Sequence, residues 1–197
     1  MAWTNTTDKN TGYLVTAGDY NILQDNLDYL KGTTAQELFI SPQYPISNAW
    51  IDSDMTSWGI LLSSTAASNV FFNFKVPDDF VSFSKVELIW RNWAASTSEQ
   101  MYWGMSGVYA HEGENMVIGA ASSNHYDNPG STYQSVPATN GIVIVNEPTL
   151  PLTLSNLAIG DYIGVRVTRG GTEANDDTGA AMVLGMLFTY TGRFTST

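Results

Sequence analysis

Few side chains in this sequence are grouped in a way that does chemistry. The chain holds two histidines: His111 is followed by Glu112 and Glu114, and His125 by Asp127. These residue types ligate metals and exchange protons. A working centre needs three or more of them at fixed spacing on regular elements. There is no H-E-x-x-H run and no third histidine, so a polar loop is the default reading. Glu173-Ala-Asn-Asp-Asp177 gathers the oxygen ligands that calcium takes. Its spacing is not that of an EF-hand, and a solvated loop is again the default. Asp52, Asp54, Asp78 and Asp79 fall where strand-end turns put them, so they give no support to the paired carboxylates of a glycosidase. No nucleophile elbow, phosphate-cradling loop or dinucleotide fingerprint occurs. Cysteine is absent, which excludes disulfides, thiolate metal sites and cysteine nucleophiles. The expectation is a chain without catalytic residues, metal or cofactor, and so not an enzyme.

The aromatics carry more signal. Trp50, Trp58, Trp90, Trp93, Tyr102 and Trp103 crowd one part of the chain. Trp90 shares an alternating face with Val86 and Leu88, which marks it as core. Trp93, Tyr102 and Trp103 flank the Ala94–Glu99 loop, and Tyr126 follows further on. Exposed rings at such places stack on sugars or fill a partner's pocket. These four are the candidate ligand-binding residues, and subunit packing is the default use of such rings.

The elements that must hold them are of two kinds. Residues 1–12 read as an extended polar arm. Thr16 then suits an N-cap, with Asp19 three residues on as a variant capping box. Tyr20, Leu23, Leu27 and Leu30 follow at spacings of three, four and three, one apolar stripe on a short helix that ends at Lys31 and Gly32. Ile22 and Tyr29 widen the stripe. A helix this short does not stand alone in water, so it packs on the rest of the chain, on sister chains or on a larger assembly. Tyr20, Leu23, Leu27 and Leu30 are therefore the candidate assembly residues.

Beyond Gly32 the helical period vanishes and period two takes over. Ala35–Ile40 is a short apolar segment. Strands are expected over Trp58–Ser63, Asn69–Val76, Ser84–Trp93, Gln100–Ala110, Gly141–Val145, Leu150–Leu154, Tyr162–Arg169 and Ala181–Thr191. Residues 111–140 read as a long loop system with one embedded strand near Met116–Ala120, and Gly170–Gly179 as a polar loop. Arg166 and Arg169 are expected to stay solvated. Strands without intervening helices predict a mainly β chain. Its architecture is an antiparallel two-sheet β-sandwich, jelly-roll-like, preceded by one short N-terminal α-helix. The division falls between residues 1–33, the arm and helix, and 34–197, the sandwich.

Two blocks of sequence resemble a known group. Thr11-Gly-Tyr-Leu-Val-Thr-Ala-Gly-Asp-Tyr-Asn, with Asp25-Asn-Leu-Asp-Tyr-Leu-Lys31, resembles the N-terminal motif of many tailed-bacteriophage virion proteins. Phe74-Lys-Val-Pro-Asp-Asp-Phe80, together with Leu157–Arg169 and Val183–Tyr190, resembles the β-sandwich halves of phage-associated structural domains. The resemblance implies a tail, baseplate, fibre or head-decoration subunit, commonly a homotrimer, contacting other virion proteins. It implies that Asp19, Asn21, Asn26 and Leu27 anchor the helix. It also implies that Pro77 and Phe80 mark a strand end and that Gly160 and Asp161 form a turn. No catalytic residue comes with it, and residues 94–140 depart from it.

Charge narrows the partners. The net charge is −11, and the eight basic residues are scattered, which argues against a nucleic-acid groove and an anionic membrane surface. No apolar run is long enough to span a bilayer, and the start lacks the pattern of a signal peptide. The expected setting is a virion assembled in the host cytoplasm. A glycan remains a candidate ligand.

Overall fold

Valine, isoleucine and aromatic residues alternating with polar ones put one face of each strand into a core and leave the other outside. The structure is a computed structural model. It describes residues 32–43, 59–93, 100–114, 126–137, 139, 141–149, 151–176 and 179–193, and the backbone alone at 49–51. The described strands are β1 (Thr33–Ile40), β2 (Ala49–Ile51), β3 (Ile60–Leu62), β4 (Ala67–Lys75), β5 (Phe80–Asn92), β6 (Gln100–Ala110), β7 (Tyr126–Ser135), β8 (Val143–Asn146), β9 (Tyr162–Gly170) and β10 (Ala181–Arg193). No helix occurs among the described residues. The expected helix with Tyr20, Leu23, Leu27 and Leu30 lies outside them, as do Asp52, Asp54, Trp58, Met116–Ala120, His125 and Asp177.

Two antiparallel sheets pack face to face. One runs β2-β3-β10-β5-β8, with β1 also paired to β10, and the other β4-β9-β6-β7. The last eight strands pair as nested shells: β3 with β10, β4 with β9, β5 with β8 and β6 with β7. A long hairpin rolled up in this way is the jelly-roll wrapping, and the expected mainly β sandwich is observed. At one open side the sheets are tied by Asn146 Nδ2 donating to Gln134 Oε1 at 3.0 Å.

The core follows the period-two pattern. Val70, Phe72, Val76, Val86, Leu88, Trp90, Ile163, Val165 and Val167 are all buried. Trp90 from one sheet meets Trp103 from the other edge-on, with centroids 5.1 Å apart. Pro77 and Phe80 do bound a turn, in which the Phe80 N–H donates to the Pro77 carbonyl at 3.2 Å. Gly160 holds φ at +85° ahead of β9, a conformation that glycine reaches without strain.

Two expectations are corrected. Leu150–Leu154 does not form a strand over its described residues. Leu152 and Leu154 point inward and cover Gly107, so their alternation reflects burial without a ladder. A strand does lie in the 111–140 region, at Tyr126–Ser135, a polar edge strand paired to β6 among the described residues, while Met116–Ala120 lies outside them. Arg169 is fully buried rather than solvated.

Candidate functional site

Arg169 explains one candidate cluster. Its Nη2 and Nε donate to Asp176 Oδ1 at 2.6 and 3.2 Å, and its Nη1 donates to the Leu62 carbonyl at 3.3 Å. The second oxygen of Asp176 accepts from the Tyr102 N–H at 2.7 Å. Both side chains of the pair are almost wholly removed from water. The acidic loop that could have held calcium is thus committed, at Asp176, to a buried ion pair that staples the loop to β6 and β9. No group of three histidine, aspartate or glutamate residues is placed to hold a metal among the described residues.

The described histidine, His111, is also structural in geometry. His111 Nδ1 pairs with Asp161, a fully buried carboxylate that also accepts the Ala158 N–H at 2.8 Å. Glu114 turns back to accept the His111 N–H at 3.0 Å. Asp127 accepts the Thr153 N–H. The carboxylates close turns and loop ends by accepting backbone N–H groups, part-buried at Ala158 and exposed at His111 and Thr153.

The four ring candidates separate. Trp103 is 0% exposed and belongs to the core, so it is withdrawn as a ligand-binding residue. The strand period decides this, because Met101, Trp103 and Met105 share the inward face of β6. Trp93 is half-buried, with the Arg91 guanidinium 4.9 Å above its ring. Tyr102 points outward from β6 and packs on Tyr133 of β7 at 4.8 Å between centroids. Gly170 makes room for it, since a Cβ there would stand 2.6 Å from the Tyr102 ring. Tyr126 stands at the far end of β7, on the same outer face.

That outer face holds an open groove of about 270 Å³. Its lining comes from all four strands of the smaller sheet. Phe71 and Asn73 come from β4, Arg166 from β9, Ser106 and Val108 from β6, and Tyr126 from β7. The register makes the trough: Asn73 lies opposite Gly164, Gly164 opposite Val108, and Val108 opposite Tyr126. A glycine in the middle of this row leaves the floor low between taller neighbours. Opposite Met105 and Gly107, β7 carries one extra residue between Asp127 and Gly130, a bulge that bends this edge strand at the same place. Asn73 Nδ2 donates to Gln43 Oε1 at 2.7 Å, which orients both amides at the rim. None of the lining residues is acidic, and Arg166 is the one charged residue among them. Phe71, Asn73 and Arg166 escaped the sequence reading because only the pairing of distant strands brings them to one place.

The opposite outer face is different in kind. Phe39 is paired with Leu187, Gly185 with Ile89, and Ile89 with Val145. The Phe39 ring lies against Gly185. Phe39, Val143 and Val145 are 55, 52 and 47% exposed. Glu37, Arg91 and the Lys85–Glu87 pair at 2.9 Å edge this apolar patch.

No protein-family model and no curated protein sequence matches the chain. Among solved structures, a mannan-recognising carbohydrate-binding module is 7% identical with a TM-score of 0.43, over 81% of this chain and 98% of that one. An arabinose-bound α-L-arabinofuranosidase is 16% identical with a TM-score of 0.38, over 74% of this chain and 23% of that one. A chain of infectious bursal disease virus, Gx strain, is 11% identical with a TM-score of 0.39, over 84% of this chain and 33% of that one. The chain therefore spans about a quarter to a third of the arabinofuranosidase and virus chains. All three likenesses lie below a TM-score of 0.5, and no function is taken from them.

Proposed function

We propose that this chain is a non-enzymatic structural subunit of a phage-like particle, with residues 1–33 as its anchor and the β-sandwich as its body. The observation that supports this most is the apolar outer face of the larger sheet. Phe39, Ile89, Leu187, Val143 and Val145 form one patch across β1, β10, β5 and β8. Contiguous exposed apolar surface of this kind mostly marks an interaction site. Its margin carries both signs of charge in Glu37, Glu87, Lys85 and Arg91, which suits contact between identical copies. The occupant is a second copy of the chain, and the assembly is a homotrimer whose repeated weak contacts add up. Other virion proteins contact the anchor, and the site of action is the particle, assembled in the host cytoplasm.

Light scattering on the full chain, on a version beginning at Thr33 and on Val145→Lys tests this. The expected result is a trimer that survives truncation and becomes a monomer in the lysine variant, with the β-rich circular dichroism spectrum retained and a melting temperature lowered only by the lost assembly. A monomeric full chain overturns the proposal. A trimer lost on truncation and kept in Val145→Lys moves the interface to the Tyr20–Leu30 stripe.

A second reading, a glycan-binding module, is favoured by its own observation: the open groove of rings and amides across the smaller sheet. The enzyme reading has no comparable support.

A further inference from the structure

We infer that the groove across β4, β9, β6 and β7 binds a glycan carrying a single acidic sugar, its carboxylate held by Arg166. This rests on the second reading above and names the ligand class that the reading leaves open.

The lining selects the class by elimination and by fit. Phe71 on β4 and Tyr126 on β7 stand three strand spacings apart, about 14 Å, so the groove takes a short oligosaccharide rather than one small molecule. Two rings at its ends offer apolar faces to the C–H faces of sugar rings. Asn73, held by Gln43, and Ser106 offer donors and acceptors to hydroxyls. Rings and oriented amides with no deep apolar cavity fit a flat polar ligand better than an aliphatic one.

Arg166 sets the charge. It is exposed, lies between Phe71 and Ser106 in the register, and forms no ion pair among the described residues. A guanidinium recognises a carboxylate through two parallel hydrogen bonds. One cation matches one carboxylate. The chain as a whole carries −11, which opposes a polyanion. A single acidic unit escapes most of that field, because screening at physiological salt acts within about 8 Å. Phosphate-rich polymers need clustered cations, and this groove has one.

The test is calorimetric titration of the full chain with 3′-sialyllactose and a glucuronic-acid-capped trisaccharide. Lactose, cellotriose and a tetrapeptide with a free carboxylate serve as comparators. The acidic oligosaccharides are expected to bind about tenfold or more tightly than lactose or cellotriose. Arg166→Gln removes the preference, Arg166→Lys restores part of it, and Phe71→Ala weakens acidic and neutral sugars together. Arg166 is exposed, and matching melting curves confirm that each variant is folded. Three results each overturn the inference: no acidic sugar binds, neutral sugars or the peptide bind equally well, or Arg166→Gln keeps the preference. Light scattering on the same samples separates this outcome from the assembly proposal. A trimer that ignores acidic sugars sinks only the groove inference, and a monomer that binds them sinks only the assembly.

Discussion

The two outer faces of this sandwich are made from the same strand geometry and differ in almost every other respect. On the larger sheet, outward positions of β1, β10, β5 and β8 carry Phe39, Leu187, Ile89, Val143 and Val145, and charge is confined to the margin. On the smaller sheet, outward positions carry Asn69, Thr168, Gly104 and Ser131 in one row and Asn73, Gly164, Val108 and Tyr126 in another. Strand parity fixes only the inward residues, since the core needs them apolar. The outward set is free to specialise. An apolar flat face suits a protein surface, and a grooved polar face suits a small polar ligand.

The faces also differ in what supports them. Behind the polar face lies a buried ion pair, Arg169 with Asp176, whose carboxylate also holds the Tyr102 N–H. Asp176→Ala leaves the Arg169 guanidinium buried without its carboxylate, and such breakage costs about 3–5 kcal/mol. Urea unfolding is expected to show that loss. The double change Arg169→Met, Asp176→Leu is expected to recover most of it, because the desolvation cost of the pair disappears with the pair. A loss below about 1 kcal/mol for the single variant would mean that the pair behaves as a surface contact. The contrast in support between the faces would then fail.

How much of this was legible beforehand depends on whether a signal is local. Val70 to Phe74, Val86 to Trp90 and Ile163 to Val167 alternate cleanly, and each stretch lies in a strand as expected, because burial on one side forces the period. β7 was hidden. Its sequence, Tyr126 to Ser135, is polar, contains Pro129 and buries no face fully, as an edge strand tolerates. Leu152 and Leu154 misled in the opposite direction, since their alternation comes from covering the core without pairing. Arg169 read as a surface residue because its partner, Asp176, sits in a loop that looked solvated. The groove was the least legible of all. Tyr126 was singled out as a ring, whereas Phe71, Asn73 and Arg166 become neighbours only through the register of β4, β9, β6 and β7.

The tryptophans sharpen the comparison at the point where the sheets meet. Trp90 and Trp103 are equally buried and touch edge to edge. Trp90 Nε1 donates to Asn146 Oδ1 at 3.0 Å, whereas Trp103 Nε1 has no hydrogen-bond partner among the described residues. Both Phe replacements lose volume, and only Trp90→Phe removes a donor, leaving the Asn146 Oδ1 acceptor without it beside the Asn146–Gln134 tie. Trp90→Phe is therefore expected to be the costlier by about 1–2 kcal/mol in chemical unfolding. Equal losses would show that packing alone decides at the interface and that the tie between β8 and β7 is dispensable.

The smallest expected effect concerns one buried phenol from each sheet. Burial raises the pKa of Tyr190 in β10, and its hydrogen bond to Asp79, 3.0 Å long, raises it further. Burial also raises that of Tyr109 in β6, but a hydrogen bond with Asn156 works against the rise. A raised folded value means that the native state holds its proton longer than the unfolded chain does. Stability is then complete below the ordinary phenol range near 10. It falls as pH climbs through that range toward the folded values. Melting curves between about pH 8 and pH 11 are expected to be level at first and then to drop. Tyr190→Phe lowers the level region by about 1 kcal/mol through the lost hydrogen bond and flattens the drop. Tyr109→Phe flattens it less, because Asn156 already favours the Tyr109 phenolate where Asp79 opposes that of Tyr190. If Tyr109→Phe flattens the alkaline drop more, the carboxylate beside Tyr190 does not govern its titration.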